Sequence, residues 1–135
     1  MPKKTIALAT AGLALVLLAG CSSGPSKAEQ CKTFEKTVTS AAEGFQDEAA
    51  NLQSDPDAAV TKLKELNKTI GDGVDELSDD DLKQKGDAFQ SAYGDLVDEI
   101  ETVAKDPQSA DTSALTTSST KVQKAGKAFQ DACNS

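Results

Sequence analysis

Four stretches of the chain repeat apolar residues at alternating spacings of three and four, the period that places them on one face of an α-helix. The first runs from about Lys27 to Gln53 and aligns Cys31, Phe34, Val38, Ala41, Phe45, Ala49 and Leu52. The second starts at Pro56 and aligns Val60, Leu63, Leu66, Ile70, Val74 and Leu77. Leu82, Phe89, Tyr93, Leu96, Ile100 and Val103 form the third stripe, and Leu115, Ser118, Val122, Ala125, Phe129 and Ala132 the fourth. The breaks between them carry helix-start chemistry. Asp55-Pro56 and Asp106-Pro107 each pair a capping carboxylate with a proline suited to the first helical position. Ser78 is placed to cap the third helix, with Asp79, Asp80 and Asp81 against the positive end of its dipole. Gly71 and Gly73 weaken the end of the second helix. The Ser- and Thr-rich run from Thr112 to Thr120 makes the start of the fourth the least defined boundary.

Ahead of these stripes lies an apolar run without period, from Ile6 to Ala19, preceded by Lys3 and Lys4. A bilayer-crossing helix needs roughly 20 apolar residues, so the run is too short for a comfortable span. A basic start, an apolar centre and small residues at the end are the three regions of an export signal. Leu18-Ala19-Gly20-Cys21 resembles the lipobox of bacterial lipoproteins: an aliphatic residue, two small residues and a cysteine. The resemblance implies cleavage after Gly20, a diacylglyceryl thioether on Cys21 and often a further acyl chain, such as palmitate, on the new amino group. Two or more chains give stable anchoring where one is marginal. The competing reading is an ordinary secretory signal followed by an incidental cysteine. The expected organisation is therefore a removed leader over 1–20, a lipidated Cys21 and flexible tether over 21–26, and a helical domain over 27–135. The expected location is the outward face of a membrane: the outer leaflet of the plasma membrane in a monoderm, or the outer membrane in a diderm.

Charge narrows the partners. The leader holds two of the 14 basic residues and none of the 22 acidic ones, which leaves the remainder at a net charge of −10. Such a surface repels nucleic acid and anionic headgroups, so neither is expected as a partner. The chain has no Arg, His or Trp. It therefore has no bidentate fork for phosphate, and no side chain that titrates unperturbed near neutrality. No Gly-x-Ser-x-Gly elbow or supported Ser-x-x-Lys set is present, and no cofactor or enzymatic activity is expected.

Export also bears on the remaining cysteines, because compartments outside the cytoplasm permit disulfides. With Cys21 lipidated, Cys31 and Cys133 are the available pair; two free buried thiols are the alternative. Four helices with short connections favour an up-down-up-down bundle. That topology sets the start of the first helix beside the end of the fourth, where the two cysteines lie. The expected fold is thus all-α, a four-helix bundle closed by a disulfide between its first and last helices.

Two further motifs allow a chemical reading. Gly86-Asp87-Ala88-Phe89-Gln90-Ser91-Ala92 and Gly126-Lys127-Ala128-Phe129-Gln130-Asp131-Ala132 match closely, and Gly44-Phe45-Gln46 echoes them. Packing of a small residue near a core Phe explains this more simply than a shared binding site. Asp72, Asp75, Glu76, Asp79, Asp80 and Asp81 could supply hard oxygens to calcium, but the order of an EF-hand loop is missing, so no metal site is expected. The leader, tether and helical domain together resemble small helical lipoproteins of unassigned function. The leading expectation is a non-enzymatic, membrane-anchored module that binds another envelope or surface protein. The alternative is a carrier holding an apolar ligand or lipid inside the bundle.

Overall fold

The computed structural model describes residues 24–135, which form four α-helices and one short 3-10 turn. Cys21 and the leader lie outside the described residues. Among the described residues there is no strand, and no helix is long and apolar enough to cross a membrane.

Each helix begins on a side chain that accepts from the otherwise unbonded N–H groups of its first turn. Helix α1 (Lys27–Asn51) opens with a capping box: the Glu29 N–H donates to the Ser26 hydroxyl at 3.2 Å, and the Ser26 N–H donates to the Glu29 carboxylate at 2.8 Å. Helix α2 (Pro56–Asp75) starts on Asp55, which accepts from Ala58, with Pro56 in its first turn. Helix α3 (Asp80–Lys105) is capped by Asp79, not Ser78, through a 3.0 Å bond from Leu82 N–H. Asp106 caps the 3-10 turn Pro107–Ser109, and Asp111 caps helix α4 (Thr112–Cys133). The Ser- and Thr-rich stretch is helical throughout. Thr116 and Thr120 donate their hydroxyls to carbonyls one turn back, which satisfies them inside the helix instead of competing with it.

Ser78 has a different role, because its N–H and that of Asp79 both donate to the side-chain carbonyl of buried Gln30, at 2.7 and 3.1 Å. The Gln30 amide in turn donates to the Pro25 carbonyl at 3.0 Å. One side chain thus ties the start of α1 to the α2–α3 junction.

Consecutive helices pack along their lengths, α1 on α2, α2 on α3 and α3 on α4, whereas α1 and α4 touch sparsely. Phe34, Leu63, Ile70, Val74, Leu82 and Val97 are the largest fully buried side chains. Removing each from water is worth roughly 1.5–3 kcal/mol. Phe34 stacks obliquely on Phe129 at 4.4 Å between centroids and meets the edge of Phe89 at 6.4 Å. Cys31 and Cys133 are joined as a disulfide across 102 residues, with Cα atoms 5.8 Å apart, linking the first and last helices.

The glycine–phenylalanine motifs divide in meaning. A Cβ on Gly86 would come within 3.0 Å of Val74 Cγ2 and 3.1 Å of Leu77 Cδ1, so the absence of a side chain lets α3 pack tightly on Val74 and Leu77 there. At Gly126 the nearest atom to such a Cβ is Phe89 Cε2 at 3.5 Å, an ordinary contact. Close packing explains the first glycine; the second faces an opening.

Candidate functional site

The opening lies between α1 and α4. Two clefts, of about 260 and 210 Å³, lie along this trough, and Val38 and Phe89 line both. Phe34, Val38, Ala41 and Phe45 from α1 make one wall, Val122, Gly126 and Phe129 from α4 the other, and Phe89, Tyr93 and Leu96 from α3 the floor. The trough exists because the stripes of α1 and α4 both pack inward on their neighbours in sequence but hardly on each other. Its rim is uncharged apart from Glu35, being formed by Thr39, Gln46, Ser119, Gln123 and Gln130.

Tyr93 is 5% exposed, and its hydroxyl has no hydrogen-bond partner among the described residues. Burial pushes the phenol up to about 12, so it remains a neutral donor. An unmatched buried hydroxyl carries a desolvation cost. The edge of Phe45 packs against the Tyr93 ring at 6.1 Å.

A second cleft, of about 500 Å³, occupies the end of the bundle away from the disulfide. Leu52 and Gln53 after α1, Pro56 of α2, Ile100, Val103 and Ala104 of α3, Pro107 and Leu115 line it, and none of these is charged. The carboxylates that cap helices at this end, Asp55, Asp106 and Asp111, are exposed close by in sequence, as is Asp57. Two of these capping carboxylates, Asp55 and Asp106, directly precede the lining prolines Pro56 and Pro107.

The carboxylate with the largest pKa displacement is Glu101. Hydrogen bonds from Lys105 and Lys64 hold its carboxyl down at about 2, so it stays ionised at any ordinary pH and is a poor proton donor. The acidic run around the α2–α3 junction is dispersed: Asp72 pairs with Lys68 at 2.8 Å, Asp75 reaches Lys83 at 3.9 Å and Asp79 serves as a cap. Among the described residues no group of three His, Cys, Asp or Glu side chains is placed to hold a metal.

Of the sites expected from sequence, Cys31 and Cys133 are brought together, whereas Cys21 lies outside the described residues. Sequence reasoning missed Gln30, Tyr93 as an unpartnered donor, and both clefts. Val38, Leu96, Leu115 and Val122 fall on core stripes, but they are only half-buried because they border the openings. No protein-family model, curated protein or solved structure matches the chain.

Proposed function

We propose that this chain is an exported lipoprotein, anchored through acyl chains on Cys21, that acts without catalysis as an interaction module for another envelope or surface protein. Its helices run up-down-up-down, so the disulfide and the tether share the membrane-proximal end and the second cleft faces away from the membrane. The observation that carries this reading is that outward cleft: an uncharged apolar hollow of about 500 Å³ beside the capping residues Asp55, Asp106 and Asp111. The complementary partner is a protein segment with apolar side chains flanked by Lys or Arg. The carboxylates steer the approach, and burial of the apolar side chains holds the complex.

A photoreactive residue replacing Gln53 in the living host tests this. The expected result is a crosslink to an envelope protein that weakens at high salt and is lost when Val103→Asp places a charge in the cleft. A crosslink pattern unchanged by Val103→Asp in a folded protein would overturn the assignment. Cys21→Ser should release the protein from the membrane fraction, and retention there would remove the anchor from the reading.

A second reading, carriage of an apolar ligand, is supported by the trough between α1 and α4, which has an apolar floor and an open entrance.

A further inference from the structure

We infer that the α1–α4 face at the disulfide end of the bundle docks on an anionic lipid bilayer through lysines on both helices, holding the anchored domain tilted with that face towards the membrane. The inference rests on the anchored reading and adds to it the orientation of the domain and the headgroup charge that sets it. Three observations carry it.

The first is where the charges lie. The net charge of −8 argues against an anionic partner. Screening at physiological salt, however, limits the interaction to charges within about 8 Å of the headgroups, so the local balance decides. Residues 27–39 of α1 carry Lys27, Lys32 and Lys36 against Glu29 and Glu35, and residues 119–131 of α4 carry Lys121, Lys124 and Lys127 against Asp131. The α2–α3 junction lies at the same end, where Gln30 of α1 holds the N–H groups of Ser78 and Asp79. Between positions 72 and 81 it carries Asp72, Asp75, Glu76, Asp79, Asp80 and Asp81 and no lysine. One end of the bundle thus has a basic side and an acidic side.

The second is helical register. Lys32 and Lys36 each stand three residues before a trough-lining residue, Glu35 and Thr39, and Lys127 stands three before Gln130 and four after Gln123. Those spacings share a helix face. Lysines of both helices therefore border the trough, with half-buried Val38 and Val122 lining it between them. Apolar side chains flanked by lysines are the pattern of a surface that lies on a membrane. Lys127 pairs with Asp131 and Lys121 reaches Asp95, whereas Lys32, Lys36 and Lys124 are exposed and make no ion pair among the described residues.

The third is reach. The Lys27 ammonium donates to the Ser135 hydroxyl at 3.4 Å, and Gln30 holds the Pro25 carbonyl, so the chain enters the bundle beside the end of α4. Four residues from Cys21 to Pro25 span at most about 14 Å. Lys36 lies about 14 Å along α1 from Lys27. An anchor on Cys21 therefore allows this face to lie on the bilayer. Packed helices stand about 8–10 Å apart, so turning α1 and α4 down carries the acidic junction a screening length further out.

An imposed anchor tests this. Every helix and the whole described core lie within 24–135. With Cys31 and Cys133 bonded, Cys21 is the one free thiol of the chain from position 21, and it can be coupled to a maleimide lipid in nanodiscs. The discs contain phosphatidylcholine alone or equal parts phosphatidylcholine and phosphatidylglycerol, with a trace of nitroxide lipid that broadens the NMR signals of nearby amides. On the anionic discs, amides of 27–39 and 119–131 should broaden several-fold more than those of 72–81. High salt or neutral discs should remove the difference.

A lysine near an anionic surface contributes roughly a factor of 5, so Lys32→Gln, Lys36→Gln and Lys124→Gln together should shift the tilt equilibrium about 100-fold and abolish the preference. Circular dichroism checks that this variant remains folded. Lys83→Gln with Lys85→Gln, at the start of α3, should leave the preference unchanged. Even broadening of all these segments, stronger broadening at 72–81, the same pattern on neutral discs, or a preference that survives the triple substitution would each overturn the inference. Because the anchor is imposed chemically, the behaviour of Cys21→Ser in the host bears on the anchored reading alone.

Discussion

The side-chain carbonyl of Gln30 accepts the backbone N–H of Ser78 at 2.7 Å, across 48 residues of chain. The same oxygen takes the Asp79 N–H, so two donors at the start of α3 depend on one residue of α1. Removing that partner leaves two partly buried N–H donors without it and also loses the Gln30 bond to the Pro25 carbonyl. Gln30→Ala is expected to lower stability by roughly 1–3 kcal/mol. Urea unfolding monitored by circular dichroism measures it. A change within a few tenths of a kcal/mol would mean that water replaces the glutamine without loss.

The disulfide holds together two helices that otherwise meet sparsely. In the chain-entropy model, closing a loop of about 100 residues stabilises by roughly 4 to 5 kcal/mol. Reduction, or replacement of both Cys31 and Cys133 by Ser, should therefore cost several kcal/mol. It should also loosen the outer helices first. Hydrogen exchange is expected to accelerate in α1 and α4 before α2 and α3, which are flanked on both sides. Uniform loss of protection would show that the four helices open as one unit.

Acid stability should carry the signature of Glu101. Its carboxyl is lowered from the ordinary 4.5 to about 2, first by the Lys105 hydrogen bond and then by that of Lys64. A group whose pKa is depressed on folding contributes stability above its unfolded value and loses it as pH falls through the folded one. The contribution is thus present above about 4.5 and fades towards about 2. Glu101→Gln should lower stability at neutral pH and flatten the acid limb in that window. A parallel loss at all pH values would assign the residue to packing instead of charge.

Alkaline titration reads Tyr93 directly. Burial raises its phenol from 10.0 to about 12, and the neutral form is the one the fold accommodates. For an acid with a raised pKa, the stability difference is at its best below the unfolded value and declines as pH rises from about 10 through about 12. Phenolate absorbance is expected to stay absent from the folded protein where the urea-unfolded chain already shows it. Coincident titration of the two states would mean that water reaches the hydroxyl.

Calcium provides a further check on the acidic junction. Because Asp72 and Asp75 pair with lysines, Asp79 serves as a cap and no three carboxylates are grouped to hold a metal among the described residues, calcium should not raise the melting temperature beyond a matched magnesium control. A rise of many degrees at low millimolar calcium would reveal a specific site.

The four helices were readable from sequence because their signals are local. Apolar spacing marked each buried stripe, and Asp55, Asp106 and the prolines after them marked starts. Ser118 was on the fourth stripe and is buried. The cap of α3 is Asp79, one residue after the expected Ser78, and the N–H groups of both are held by Gln30, a distant partner that local pattern cannot supply. The 3-10 turn separated Asp106 from the helix it was expected to cap, and Asp111 took that place.

The sequence by itself determined which segments are helical, which faces turn inward and that Cys31 falls in the first helix and Cys133 at the end of the last, because period and capping act over a few residues. Only the tertiary structure decided how far those faces close on one another. Period says that Val38, Leu96 and Val122 face other helices; it does not say that α1 and α4 meet only sparsely, nor that the Tyr93 hydroxyl has no hydrogen-bond partner among the described residues. Those outcomes depend on how side chains from three helices fill one shared space, a property of the assembled volume and of no single stripe.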